Sequence, residues 1–485
     1  MDLPSTNSTF ETTPTAERKD AMVTMSLVSL PPTPPPDSID VSPKAFHDEF
    51  AHLQNFLTTT NATAVHEPLV AIIGVGYVGA QLVEAFANHY NVIAFDLSEK
   101  RLREVYQQLK GLPVTYTVDP TDIREASHIL IAVPTSLAED KQVDTTFLRQ
   151  AIATVEKHAQ PGSTVVIESS VAVGMTRKLM APLVASKNLL VGMSPERVDP
   201  GRTHPPFTSI PKLVSGLTPT ALSSISTLYS HVFPTILPVS SPEVAEMTKL
   251  YENCQRMVCA AYANEMADAC ATLGIDAFEV SAAAASKPFG YLPFRPGPGI
   301  GGHCIPVNPY YLLSNCDMPL LGYATTLSWQ RPGNVAKRFV RDLLEEKKMA
   351  RPEVVLDPGL LRILVVGIGF KRGQSVLSNS PGVAIIHTLR DEFRLHRVEF
   401  ADPLVAQSSF AEVPKLDTEV HWNEAYLSTF DGIIIALNQV GLELGVLARL
   451  RDVRVQDYSG GLQELRASST AVRDSAKPAL LRKGC

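Results

Sequence analysis

Leu69-Val-Ala-Ile-Ile73 runs without a break into Gly74-Val-Gly-Tyr-Val-Gly79, and that junction restricts the fold more than any other stretch of the chain. An uninterrupted apolar run of this length reads as a strand buried on both faces, hence a parallel sheet covered by helices. A helical pattern follows through Gln81-Leu-Val-Glu-Ala-Phe-Ala87, and a second apolar strand, Asn91-Val-Ile-Ala-Phe95, ends at Asp96. Strand, glycine turn, helix, strand and acid in this order form a dinucleotide-binding fingerprint. Gly74 makes the turn, Gly76 lets the backbone approach a pyrophosphate, and Gly79 lets helix and strand close. Tyr77 and Val78 open the helix, whose unpaired N–H groups suit phosphate. Asp96 is expected on the ribose hydroxyls, where its charge repels a 2′-phosphate and favours NAD over NADP. Arg101, in the helix that follows, completes the expected cofactor contacts.

Further apolar strands, Ile129-Leu-Ile-Ala-Val133 and Thr164-Val-Val-Ile-Glu168, end in Pro134-Thr135 and Ser169-Ser170. An open parallel sheet binds its ligand at such carboxyl ends. A second α/β unit starts at Leu361-Arg-Ile-Leu-Val-Val-Gly-Ile-Gly-Phe370, with later strands at Arg397-Val-Glu-Phe-Ala401 and Gly432-Ile-Ile-Ile-Ala436; it lacks the third glycine. The expected fold class is α/β, with two Rossmann-like doubly wound domains joined by a long central helix. The boundaries read as a disordered Pro/Ser/Thr-rich tail over 1–66, an NAD-binding domain over 67–240, a central helical and dimerisation segment over 241–349, a second Rossmann-like domain over 358–465, and a flexible tail over 466–485. Within the first tail, 45–57 has helical apolar spacing and reads as a short docking helix.

Composition excludes several classes. A net charge of −7 argues against a nucleic-acid binder. No apolar run is long enough to span a bilayer, and the N-terminus lacks a basic-then-apolar leader. The six cysteines include no Cys-x-x-Cys and fit no zinc spacing. They read as reduced thiols of a cytoplasmic protein without a structural metal.

Ser241-Pro242 starts a long helix with an N-cap serine and a first-turn proline. Glu246, Lys249, Asn253 and Arg256 recur at three and four residues and share one face. Downstream lies Pro293-Phe-Arg-Pro-Gly-Pro-Gly-Ile-Gly-Gly-His-Cys304. Its glycines and prolines exclude a helix or a central strand but suit a tight loop against a ligand. Cys304 at its end is a candidate nucleophile. Leu327-Ser-Trp-Gln-Arg-Pro-Gly-Asn334 follows, and an amphipathic helix reads from 335 to 349.

These segments together resemble the UDP-glucose/GDP-mannose dehydrogenase family over about 68–460, and the cysteine-loop wording resembles its UDP-N-acetylhexosamine branch. The supporting motifs are Val133-Pro-Thr135, Glu168-Ser-Ser-Val171, Ser194-Pro-Glu-Arg197, Lys249-Leu-Tyr-Glu-Asn253, the Arg331/Asn334 pair, Phe370-Lys371 and Ser380-Pro381. The resemblance implies NAD-dependent oxidation of a sugar C6 alcohol to a carboxylate, through a thiohemiacetal and a thioester on Cys304. It implies that Lys249 and Asn253 stabilise oxyanions at the reacting carbon. Thr135 and Ser170 line the nicotinamide side, Ser170 also holding the hydrolytic water. Glu196, Arg197, Arg295, Gly301 and Lys371 join Lys249 and Asn253 as contacts to a UDP-sugar, and the protein is implied to be a homodimer. Two positions depart from the family pattern. Asn308 stands where the family has an Asp that helps activate water, and Asn does not take a proton at neutral pH. Val376-Leu-Ser378 replaces Asp-x-Arg. Two alternatives stay open: a catalytically impaired homologue that binds NAD and UDP-sugar, and oxidation of UDP-glucose, which the Ser194-Pro-Glu-Arg197 wording disfavours.

Overall fold

The computed structural model describes residues 68–198, 201, 204–353 and 357–465. The expected helix over 45–57 and both expected tails lie outside these residues. The first sheet contains β1 (Leu69–Ile73), β2 (Asn91–Phe95), β3 (Val114–Thr117), β4 (His128–Ile131), β7 (Thr164–Ile167), β8 (Leu190–Met193), β9 (Lys212–Gly216) and β10 (Ile236–Pro238). A small hairpin, β5 (Ser136–Leu137) and β6 (Val143–Asp144), stands apart from it. Across the sheet the order is β10-β9-β8-β7-β4-β1-β2-β3. All neighbours run parallel except β8 and β9, which pair antiparallel with Gly192 opposite Gly216.

The apolar runs explain this architecture. Ala71 and Ile73 belong to one core, Val70 and Ile72 to another on the opposite face, so β1 is buried on both sides. Its order reverses between β1 and β4, which opens a crevice at the carboxyl ends of the strands. Ile73 pairs with Phe95 and Ile131, and Ile131 with Ile167, so β1, β2, β4 and β7 end level with one another. The segments beyond them therefore share one rim: the glycine turn, Asp96, Thr135 and Ser170.

Helices α1 (Tyr77–Ala87), α2 (Glu99–Gln108), α3 (Thr146–His158), α4 (Met175–Lys187) and α5 (Pro219–Ser230) accompany this sheet. The central α6 (Pro242–Thr272) runs for 31 residues from an N-cap at Ser241, whose hydroxyl accepts the Val244 N–H. Short α7 (Ala277–Ala285) and α8 (Asn308–Leu313) precede α9 (Pro319–Ala350). A second, wholly parallel sheet of β11 (Arg362–Val366), β12 (Arg397–Ala401), β13 (Gly432–Ile435) and β14 (Arg454–Asp457) has the order β12-β11-β13-β14 and is flanked by α10 (Pro381–Asp391).

α9 corrects the sequence expectation. The helix read from residue 335 begins at Pro319 and passes through Pro332 and Gly333. An interior proline forfeits one helix hydrogen bond. Pro332 is buried instead, its ring lying where a side chain on Gly299 of the cysteine loop would go. Beyond it, Val335, Phe339, Val340 and Leu343 enter the core of the second sheet. The helix thus joins the central segment to the second α/β unit.

Candidate active site

The loop carrying Cys304 is clamped from three elements. From α6, the Asn264 Oδ1 accepts the Gly297 N–H at 2.8 Å. From α9, the Arg331 Nε donates to the Gly297 carbonyl at 2.6 Å, while its Nη1 pairs with Asp268 at 3.0 Å. From the second α/β unit, the Ser378 carbonyl accepts the Gly302 N–H at 2.8 Å and the Asn379 Nδ2 donates to the Gly302 carbonyl at 2.9 Å. Gly302 has φ +92°, and a Cβ there would stand 2.9 Å from the Phe370 ring. A Cβ on Gly301 would meet Phe370, Pro381 and Asn379 at 2.9–3.2 Å. The loop is glycine-rich because the second α/β unit presses directly on its backbone. Ser378 contributes its carbonyl here, which any residue at that position would supply.

This clamp delivers Cys304 to α6. Its carbonyl accepts the N–H groups of Val307 and Asn308 at 3.2 and 2.9 Å, opening α8. Asn308 is 3% exposed, and its Oδ1 accepts the Asn253 Nδ2 at 2.6 Å. Lys249 lies one turn before Asn253 on α6 and is 6% exposed. Burial pushes the Lys249 ammonium below the ordinary lysine value; the neighbouring Cys304, Glu196 and Glu252 oppose that push, and Lys212 adds to it. Cys304, Lys249, Asn253 and Asn308 thus form one cluster. Tyr311 backs it: its hydroxyl donates to the Ser136 carbonyl at 3.4 Å, and burial pushes it up to about 12.

Two of the four polar residues on the α6 face lie outside the cluster. Glu246 is buried and caps α4, accepting the N–H groups of Gly174 at 2.6 Å and Thr176 at 2.8 Å. Arg256 is exposed.

The residues at the sheet crevice fit a dinucleotide. Gly74 has φ +88°, and a Cβ there would come within 2.9 Å of the Ala132 carbonyl oxygen. A Cβ on Gly79 would overlap the Gly74 carbonyl at 1.9 Å, whereas one on Gly76 would meet nothing within 4 Å. The middle glycine therefore leaves its backbone open to a phosphate, and the outer two close the turn. Asp96 braces that turn: Oδ2 accepts the Val75 N–H at 2.7 Å and Oδ1 the Ser98 N–H at 2.9 Å. Arg101 donates to the Val75 carbonyl at 2.8 Å and the Gly76 carbonyl at 3.3 Å. Arg101 thus holds the glycine turn from the side of α2. Val78 packs against the core, and the half-exposed Tyr77 accepts the Gly201 N–H at 3.3 Å. The Thr135 hydroxyl donates to the Ser170 carbonyl at 2.8 Å and ties together the loops that follow β4 and β7.

The remaining expected sugar contacts have different surroundings. Glu196 is buried. Its Oε2 pairs with Lys212 at 2.9 Å and its Oε1 accepts the Arg197 N–H at 2.6 Å. Arg197 pairs with Glu252 on α6 and donates to the Pro211 carbonyl at 3.1 Å. Arg295 is half-exposed, pairs with Glu464 and lies over the Phe278 ring, 5.8 Å from its centroid. Lys371 follows Phe370, whose Cβ faces Gly301 and whose ring faces Gly302. Sequence reasoning missed Lys212 and Tyr229 and gave no role to Glu168; the three form a buried network with Glu196. The one sequence signal was a charged residue at the edge of each apolar strand, Glu168 after β7 and Lys212 opening β9. Among the described residues, no group of His, Cys, Asp and Glu could hold a metal ion, and no helix is long and apolar enough to cross a membrane.

Comparison with known proteins agrees with this arrangement. Residues 97–233 match the model of the NAD binding domain, and 243–328 that of the central domain, of the UDP-glucose/GDP-mannose dehydrogenase family. The chain is 34% identical over 346 residues to Protein CapL of Staphylococcus aureus, covering 66% of this chain and 79% of that one. It is 32% identical over 396 residues to a UDP-N-acetyl-D-glucosamine 6-dehydrogenase of Pseudomonas aeruginosa, covering 76% and 90%. Among solved structures it is similar to a UDP-D-ManNAc dehydrogenase from Pyrococcus horikoshii, with a TM-score of 0.69 and 26% identity, covering 81% of this chain and 95% of the other.

Proposed function

This chain belongs to the UDP-glucose/GDP-mannose dehydrogenase family, and we propose that it oxidises the C6 hydroxyl of a UDP-N-acetylhexosamine to the carboxylate with NAD. The observation that carries the reading is the cluster of Cys304 with Lys249, Asn253 and Asn308. The similarity to named UDP-N-acetylhexosamine dehydrogenases supports the sugar class.

NAD, held by the glycine turn, Asp96, Arg101, Thr135 and Ser170, supplies the hydride acceptor. The chain's own groups do the rest. Once the C6 alcohol is an aldehyde, the Cys304 sulfur adds to its carbon, and the former carbonyl oxygen takes a proton to give a thiohemiacetal. That adduct keeps one hydrogen on carbon, so a second oxidation converts it to a thioester. Lys249 and Asn253 donate to the oxygen that carries developing charge in both stages, in a site where water competes little. Water then attacks the acyl carbon, the carbon–sulfur bond breaks, and the thiol returns. Glu196, Arg197, Arg295, Gly301 and Lys371 are proposed contacts to the sugar and its nucleotide.

The active form is proposed to be a homodimer through the central segment. α7 is nine residues long and buries none of them. With the end of α6 and the following loop it exposes Tyr262, Met266, Leu273, Val280, Phe289 and Leu292, an apolar surface suited to a second copy. A cytoplasmic location accompanies the reading, since its cysteines need a reducing compartment.

The test is NADH formation with UDP-N-acetylglucosamine, UDP-N-acetylmannosamine and UDP-glucose, using wild type and Cys304→Ser. NADH from an N-acetylated sugar that exceeds the first two equivalents per Cys304, abolished by Cys304→Ser, is expected. NADH from UDP-glucose alone, or an unaffected serine variant, overturns the reading. Asn308 supports a second reading, a homologue that binds both ligands and turns over poorly. It is recognised by binding without sustained NADH formation.

A further inference from the structure

The Ser194-Pro-Glu-Arg197 loop leaves the end of β8 and meets α6 through one side chain. Three protein oxygens surround the Arg197 guanidinium. Nη2 pairs with the Glu252 Oε1, Nε donates to the Glu252 Oε2 at 3.3 Å, and Nη1 donates to the Pro211 carbonyl at 3.1 Å, just ahead of β9. The backbone N–H of the same residue donates to the Glu196 Oε1 at 2.6 Å. A fully exposed ion pair holds little, because two long side chains must be ordered in water. Here the two side chains are only 25% and 36% exposed. The contact is two-pronged, and a fork fixes direction as well as distance.

Glu252 follows Lys249 by three positions, and Asn253 follows Glu252 directly. Lys249 and Asn253 are buried. The Asn253 Nδ2 donates to the Asn308 Oδ1 at 2.6 Å, and the Asn308 N–H donates to the Cys304 carbonyl. One turn of α6 is therefore fastened twice, at Asn253 to the cysteine segment and at Glu252 to the loop that carries Glu196. We propose that Arg197 is a positioning residue of the oxidation: over and above any contact to the sugar, its fork on Glu252 holds the Glu196 loop at a fixed distance from the α6 turn, so that a sugar resting on that loop presents its reacting carbon to Lys249 and Asn253. The assignment rests on the dehydrogenase reading above and assigns Glu252 a part in it.

A clasp and a plain sugar contact predict different kinetics. A contact made equally to bound sugar and to the transition state moves KM, whereas a clasp that aims donors at developing charge moves kcat. The experiment is a double-mutant cycle on the full chain with Arg197→Met and Glu252→Gln, measured as kcat and as KM for the UDP-N-acetylhexosamine and for NAD. Each single variant is expected to lower kcat about tenfold and to change either KM by less than about twofold. The double variant is expected to fall no further than the worse single one, a coupling of about tenfold. The cycle cancels whatever either charge does to Lys249 by itself. Additive losses, an unchanged kcat or a rise in KM alone overturns the proposal. If Arg197→Met does not fold, Arg197→Lys, which keeps the charge and loses the fork, replaces it in the cycle under the same criteria. A wild type that forms no NADH overturns the dehydrogenase reading alone. The clasp is then read from amide hydrogen exchange, where Glu252→Gln is expected to speed exchange of the peptide spanning 194–198 by about threefold or more, and unchanged exchange there overturns it.

Discussion

Asn308→Asp tests where the chemistry of this site is slow. The two side chains have nearly the same shape, so the hydrogen bond from the Asn253 Nδ2, now 2.6 Å to the Asn308 Oδ1, has the same acceptor in the variant. What changes is charge. The carboxylates nearby are engaged, Glu168 and Glu196 with Lys212 and Glu252 with Arg197, so among the described residues the wild-type cluster holds no unengaged carboxylate for the water that attacks the thioester. A carboxylate at 308 supplies one, and general bases contribute about 10²–10⁴-fold. Burying the new charge costs several kcal/mol if uncompensated. Lys249, one turn from Asn253, and a charge-assisted bond from Asn253 worth roughly 1.5–3 kcal/mol offset much of that. Because faster hydrolysis leaves another step, such as product release, to limit turnover, steady-state kcat is expected to rise at least about tenfold rather than by the full range. The assay is rapid-mixing NADH absorbance. Both oxidations precede hydrolysis, so wild type shows a burst of two NADH per Cys304 followed by a slow phase. Quenched during that phase, it carries the acyl sugar on Cys304 by mass spectrometry. The variant shows linear formation and no adduct. A wild type with no burst, or a variant slower than wild type, refutes the reasoning.

Three further outcomes follow from single contacts. Burial pushes the His128 imidazole down to about 4. Its folded value lies below its unfolded one, so the unfolded chain binds the extra proton between about 6.5 and 4. The stability is whole above that window and falls by roughly 3 kcal/mol as pH drops through it; His128→Gln is expected to flatten that part of the urea-midpoint profile, and an unchanged slope refutes it. Gly302→Ala places a methyl at φ +92° and 2.9 Å from the Phe370 ring, so a loss of about 1–3 kcal/mol in thermal unfolding and a larger fall in kcat than in NAD affinity are expected. Val280→Asp with Phe289→Asp, both on the exposed central surface, is expected to give monomers in analytical ultracentrifugation; a wild type already monomeric at micromolar concentration contradicts the dimer.

The parts of the molecule that were legible in the sequence are those whose causes are local. β1, the glycine turn and Asp96 lie within one supersecondary unit, and Lys249 and Asn253 share a helix face by spacing alone. Physics acting across distant segments was not legible. Pro332 reads as a helix breaker until its ring is seen filling the space above Gly299. Glu246 has the right spacing to join Lys249, yet the N–H groups of Gly174 and Thr176 claim it. Arg295 reads as an anion ligand and is met by Glu464. Lys212 finds its partners 16 and 44 positions away, and only the antiparallel turn of β9 against β8 brings them together.

The cysteine loop shows the same division and carries it into function. Its glycines announce a backbone that something must approach, and the structure identifies the approaching groups as Phe370, Pro381 and the Ser378–Asn379 peptide of the second α/β unit. Cys304 lies two residues beyond Gly302, so the segment that grips Gly302 also sets where the sulfur stands relative to Lys249. That segment is where Val376-Leu-Ser378 departs from the family pattern. The grip uses the Ser378 carbonyl and the Asn379 amide, so the departure leaves the placement of the thiol intact. Its consequence must then fall on groups that a side chain at 376 or 378 would reach, not on Cys304.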